Sequence, residues 1–153
     1  MLREQIKDAL KTAVLAKDNQ KTSTIRLILA AIKDRDIASR GTGKDGLISN
    51  DDILQLLQSM IKQRKESIAM YEKGGRKDLV AGEQAEIETI QAFLPEQMNE
   101  DDMKKAVEEI IAAAGASGLK DMGKVMAALR EQYAGRMDFA QASGVVKNIL
   151  AQK

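Results

Sequence analysis

Three stretches of the chain set basic side chains where they can meet an anion. Asp121-Met122-Gly123-Lys124-Val125-Met126 opens a helical pattern. The start of a helix exposes backbone N–H groups that attract negative charge, and Lys124 falls within its first turn. Gly123 costs a helix about 1 kcal/mol against Ala, which predicts a close approach there, by a neighbouring helix or by a ligand backbone. Asp121 partly opposes an anion. Further on come Gly135-Arg136 and Lys147. The third stretch is Lys62-Gln63-Arg64-Lys65, extended by Gly74-Gly75-Arg76-Lys77. The chemistry open to all three is phosphate binding. The plainer reading is a solvated helix face, since Lys62 and Glu66 are spaced for an ordinary pair within one helix.

Other chemistry is closed off. The chain contains neither cysteine nor histidine. Thiolate nucleophiles, disulfides, imidazole bases and Ser-His-Asp devices therefore cannot be built from it alone. Glu83, Glu86 and Glu88 lack metal-site spacing, and no metal or cofactor is expected. Gly41-Thr42-Gly43-Lys44 lacks the spacing of a phosphate loop, is followed by Asp45, and has no strand before it. A surface loop is expected there.

The elements that must position these residues are helices. Apolar residues make up 44% of the 153 residues, only 3% are aromatic, and there is one proline, a balance that favours helix over sheet. Apolar spacing predicts a first helix over residues 2–17 and a second carrying Ile25, Ile28, Leu29, Ile32 and Ile37. A third spans residues 50–73 behind a Ser49 cap. Asp78 caps a fourth, which runs to Leu94. Pro95 then stops the chain. Asn99 caps a fifth helix, a sixth covers residues 121–133 up to Gly135, and Asp138 with Gln141 forms a capping box for the last. Gly144, beside Ala142 and Ser143, suits tight packing of two helices. The expectation is an all-α protein: a helical N-terminal domain of about four helices, residues 1–94, and a small three-helix C-terminal domain, residues 95–153.

Charge is nearly balanced at +1, so only local excess informs. Residues 61–77 carry six bases and two acids, and residues 120–153 carry six bases and three acids. The opening residues, Met1-Leu2-Arg3-Glu4-Gln5-Ile6, mix charges and lack an apolar run. No signal peptide, transit peptide or membrane span is expected, and the cytoplasm is the expected location.

Several short motifs, in order, carry a resemblance. Lys62-Gln63-Arg64, Tyr71, Gly75-Arg76-Lys77-Asp78, Glu83 with Glu86-Ile87, and Phe93-Leu94-Pro95 resemble the YqeY family of bacterial proteins. Asp121 to Met126, Gly135-Arg136-Met137-Asp138 and Val145 to Leu150 are similar to the tail domain that YqeY proteins share with GatB. GatB is the tRNA-binding subunit of the tRNA-dependent Asp/Glu amidotransferase. The resemblance implies an N-terminal helical domain followed by a three-helix tail. It also implies a link to glutamine-dependent amide transfer on misacylated tRNA.

The leading expectation is an accessory protein that binds tRNA or another structured RNA. Lys124 and Arg136 would meet phosphates beside Gly123, with Lys147, Arg64, Lys65 and Arg76 as further contacts. A second reading, implied by the resemblance, is a carbon–nitrogen ligase with glutamine as amido donor. The lone chain shows no activated nucleophile for that step, and no catalytic residue is assigned. The third is an interaction module that docks an aminoacyl-tRNA or amidotransferase partner.

Overall fold

The computed structural model describes residues 1–40 and 46–153. Gly41-Thr42-Gly43-Lys44 lies outside them. Among the described residues there are seven α-helices and no strand: α1 (Leu2–Leu15), α2 (Asn19–Ser39), α3 (Asn50–Lys73), α4 (Lys77–Gln91), α5 (Glu100–Ala114), α6 (Met122–Gln132) and α7 (Phe139–Ala151). The fold is all-α. The chain divides into two compact units, Met1–Leu94 and Pro95–Lys153.

In the first unit, α1 to α4 close on a core of branched aliphatics. Ile6, Ile28, Ile32, Ile53, Leu57 and Ile90 are all but inaccessible to solvent. Their spacing is the helical period that turns one stripe of each helix inward. Helix α2 departs from expectation at its end. Ile37 is half exposed, and the neighbouring Asp36 points inward in its place. The reason is an ion pair: Arg3 of α1 reaches Asp36 through two bonds, of 2.8 and 3.0 Å. The Ile48 N–H donates to the same carboxylate at 2.8 Å. Adjacent helical positions lie about 100° apart, so turning Asp36 in turns Ile37 out.

Helix α3 opens on a closed capping box. The Ser49 hydroxyl accepts from the Asp52 N–H at 3.1 Å, and the Asp52 carboxylate accepts from the Ser49 N–H at 3.3 Å. Its C-terminal end is a Schellman turn. Gly75 is left-handed at φ 71°, and the Arg76 N–H returns to the Tyr71 carbonyl at 2.9 Å. Helix α4 begins at Lys77 with Arg76 at its cap position, so Asp78 sits inside the first turn and does not cap it. It ends at Gln91, three residues before Leu94. Phe93 and Leu94 make tighter bonds to Ile90 and Gln91 instead, because a residue before proline is kept out of the helical region.

The second unit packs α5, α6 and α7 around Val107, Val125, Leu129, Val146 and Leu150. Asn99 caps α5 through the Asp102 N–H at 2.8 Å. A 3-10 turn, Leu119–Asp121, precedes α6, which therefore starts at Met122. The Asp138 carboxylate bonds the Ala140 N–H at 2.8 Å. It does not take the amide of Gln141, so the expected capping box does not close.

Candidate nucleic-acid interface

The basic residues singled out from the sequence fall into two groups, one in each unit. In the first unit, Arg64 projects from α3 toward α4. Its Nε donates to Glu86 Oε2 at 2.7 Å, and one terminal nitrogen donates to the Met60 carbonyl at 3.1 Å. The side chain is only 13% exposed. Such a guanidinium braces two helices, and its charge is neutralised where it stands. Arg76 is exposed and makes two 3.2 Å bonds to Asp78. That arginine holds the Asp78 carboxyl below the usual range. Lys65 is exposed and makes no hydrogen bond or ion pair among the described residues. Two of the three expected contacts in this ridge are thus matched to carboxylates. Glu86 lies 22 positions beyond Arg64, and only the packing of α3 on α4 brings them together.

In the second unit the cations meet carbonyls. Lys124 Nζ donates at 3.2 Å to the carbonyl of Ala114, the last residue of α5, where the helix dipole welcomes positive charge. Arg136 Nε donates at 3.2 Å to the Glu96 carbonyl. Lys147 is exposed on α7. A carbonyl satisfies one donor but leaves the formal charge in place. Asp121 is the nearby acid. Its carboxylate accepts the Ser117 N–H at 2.9 Å. That bond lowers its pKa, with help from Lys120 and Lys124, so it remains anionic beside them.

Gly123 is exposed, and a Cβ added to it would meet nothing within 4 Å. No neighbouring helix accounts for this glycine, which leaves the outer face of the first turn of α6 open. Gly144 is likewise exposed with nothing within 4 Å. The tight helix packing expected there is not present, and Gly144 instead lines a shallow depression with Glu100, Lys104 and Asn148. A crevice of roughly 630 Å³ lies in the first unit among Ala9, Ala13, Ile25, Ala85, Thr89 and Phe93. It holds none of the predicted residues.

Sequence reasoning passed over two features of the α6–α7 connection. Arg130 stands over the Phe139 ring with its guanidinium carbon 5.9 Å from the centroid, and Arg136 stands over the Tyr133 ring at 5.8 Å. Met137, between the two helices, is 1% exposed. A lone buried residue in a connection carries no periodic signal. The Arg130–Phe139 spacing of nine spans a helix end, so neither could be read from a helical pattern.

The Lys62–Arg64 motif lies on α3, Gly75–Asp78 spans the turn into α4, and Asp121–Met126 runs from the 3-10 turn into α6; the family model described as Yqey-like protein matches residues 3–150. The chain belongs to the YqeY-like family. It is also similar to altered inheritance of mitochondria protein 41, mitochondrial, from three yeasts: 43% identical in Eremothecium gossypii, 39% in Lachancea thermotolerans and 37% in Saccharomyces cerevisiae. Each match runs over 89 residues, 58% of this chain and 46% of the relative. The chain spans about half the length of the curated relatives it matches. These relatives correct two expectations. The family resemblance is not confined to bacteria. The cytoplasmic location does not stand, because these YqeY-like relatives are mitochondrial. The charge pattern of the opening residues cannot decide a compartment for a chain that matches only part of such proteins. Among the described residues no helix is long and apolar enough to cross a membrane.

Proposed function

We propose that this YqeY-like protein is an accessory RNA-binding protein whose ligand is tRNA or a similarly structured RNA, held through the second unit. The observation that carries the reading is the state of Lys124, Arg136 and Lys147. All three keep their charge without a carboxylate partner among the described residues, and Lys124 stands beside the open face of Gly123. Residues 120–153 hold the basic excess of this unit, whereas residues 95–119 carry six acids and two bases. An RNA would therefore meet α6 and α7 and avoid the acidic first turn of α5. Contacts of this kind read backbone shape rather than base sequence. The similarity to the GatB tail supports the choice of tRNA. Arg64 and Arg76 leave the contact set, being paired with Glu86 and Asp78.

Titration of the protein with unfractionated tRNA at several salt concentrations tests the reading. With about four phosphates engaged, log affinity falls against log salt with a slope of roughly −3. Replacing Lys124 and Lys147 with Ala makes that slope shallower by about 1 each. Weak binding that ignores salt, or affinity untouched when Lys124 and Arg136 become Ala, refutes it.

A further inference from the structure

The α6–α7 connection is built more rigidly than a surface turn of its length requires. Gly135 adopts φ 76° and reverses the chain. The Met98 N–H donates to the Arg136 carbonyl at 2.9 Å, and Gln97 Nε2 donates to the Gly135 carbonyl at 2.6 Å. The Arg136 N–H closes on the Tyr133 carbonyl at 3.0 Å, and Met137 plugs into the core beneath. Arg136 in this braced turn and Arg130 in the last turn of α6 each stand over an aromatic ring, Tyr133 and Phe139 respectively. Among the described residues, the Arg136 side chain commits only its Nε to a hydrogen bond, and the Arg130 side chain commits none of its nitrogens. The acids of this stretch are Glu131 and Asp138. The Asp138 carboxylate accepts the Ala140 N–H, and neither acid pairs with a guanidinium among the described residues.

We infer that Arg130 and Arg136 act together as a preorganised two-fork clamp for RNA phosphates. The inference rests on the RNA-binding reading above and adds Arg130, the role of the two rings, and a requirement for arginine over lysine. A planar guanidinium presents paired N–H donors that match two phosphate oxygens, whereas an ammonium is a point charge. Attraction to an aromatic face restricts the swing of each fork before the ligand arrives, and the braced turn holds the backbone of Arg136. Less side-chain freedom is then lost on binding. Tyr133 and Phe139 serve as platforms for the arginines rather than as stacking surfaces for bases.

The test is fluorescence anisotropy with unfractionated tRNA over a range of salt. It compares the wild-type chain, the pair Arg130→Lys with Arg136→Lys, and Lys11→Arg. Circular dichroism confirms that each variant is folded. The clamp predicts that the double lysine variant loses about tenfold in affinity while its salt slope is unchanged, since charge is kept and only the fork is lost. Lys11→Arg, an exposed change on α1 outside the proposed surface, should bind as well as wild type. If the double lysine variant binds like wild type, the clamp is wrong and RNA binding by simple charge remains. If the wild-type chain binds no RNA, both readings fall. If polyglutamate displaces tRNA as effectively as unlabelled tRNA does, the surface suits an acidic protein and the clamp is again refuted.

Discussion

Removing the Asp36 carboxylate should unfasten three elements at once. It accepts two bonds from Arg3 on α1, and it receives the Ile48 N–H just before α3. Asp36 is 7% exposed, and the Arg3 side chain is 20% exposed. Breaking a well-buried pair by deleting one partner costs about 3–5 kcal/mol. Arg3 retains enough access to water to recover part of that, so Asp36→Ala should destabilise the first unit by about 2–3 kcal/mol, a large share of the total for a unit of this size. Urea unfolding followed by helical circular dichroism measures the loss, and hydrogen exchange should assign it to α1 and α2 rather than to α5–α7. The sign with pH follows from the same geometry. The Arg3 guanidinium first, and then the Ile48 N–H, hold Asp36 below its ordinary 3.8. Its contribution is complete above that value and is lost as pH falls through the lowered one. The wild-type advantage over Asp36→Ala should therefore be constant near neutrality and shrink in acid. A cost under about 0.5 kcal/mol, the size of an ordinary surface change, would refute the fastening role of Asp36, as would a loss shared equally by both units.

The brace between α3 and α4 predicts that Arg64→Met costs about 1–2 kcal/mol, as expected for a charge-assisted bond with a partly exposed partner, and leaves tRNA affinity unchanged. Binding titrations alongside urea unfolding separate the two effects, and a clear fall in affinity would return Arg64 to the RNA surface. Gly144→Ala should stabilise the chain by about 0.5–1 kcal/mol, because a helical position with open space above it gains propensity and meets no clash. A lower melting temperature would show that something unseen packs there.

The helices were legible because their apolar residues recur at a period that needs no knowledge of neighbours. Ser49 and Asn99 were readable as caps for the same reason, since each bonds an amide three residues on. What the sequence hid depends on crossing geometry. The Arg3–Asp36 pair spans 33 positions, and its formation turned Ile37 outward against its hydropathy. The Arg64–Glu86 pair spans 22. In the string of residues, Arg64 is one base in a basic ridge, and nothing local distinguishes it from Lys65. The candidate site was only partly readable. Arg136 and Lys124 follow conspicuous glycines, but Arg130 lies in the last turn of α6 in an ordinary pattern and acquires meaning only through the Phe139 ring.

Counting bases along a chain overestimates its capacity for polyanions unless the partners are sorted by charge. Carboxylate partners cancel a cation's field as well as satisfying its donors, and Arg3, Arg64 and Arg76 are held in that way. Carbonyl partners orient the cation and leave its field in place, as happens for Lys124 and Arg136. The same distinction explains why residues 61–77, the more basic stretch by count, make the poorer candidate surface. It also explains why residues 120–153 remain the better one despite Asp121. Aromatic faces act as carbonyls do, because a ring quadrupole attracts a guanidinium without neutralising it. Orientation without neutralisation is what a phosphate-binding side chain needs before its ligand arrives, and in the described structure it is concentrated at the start of α6 and in the α6–α7 connection.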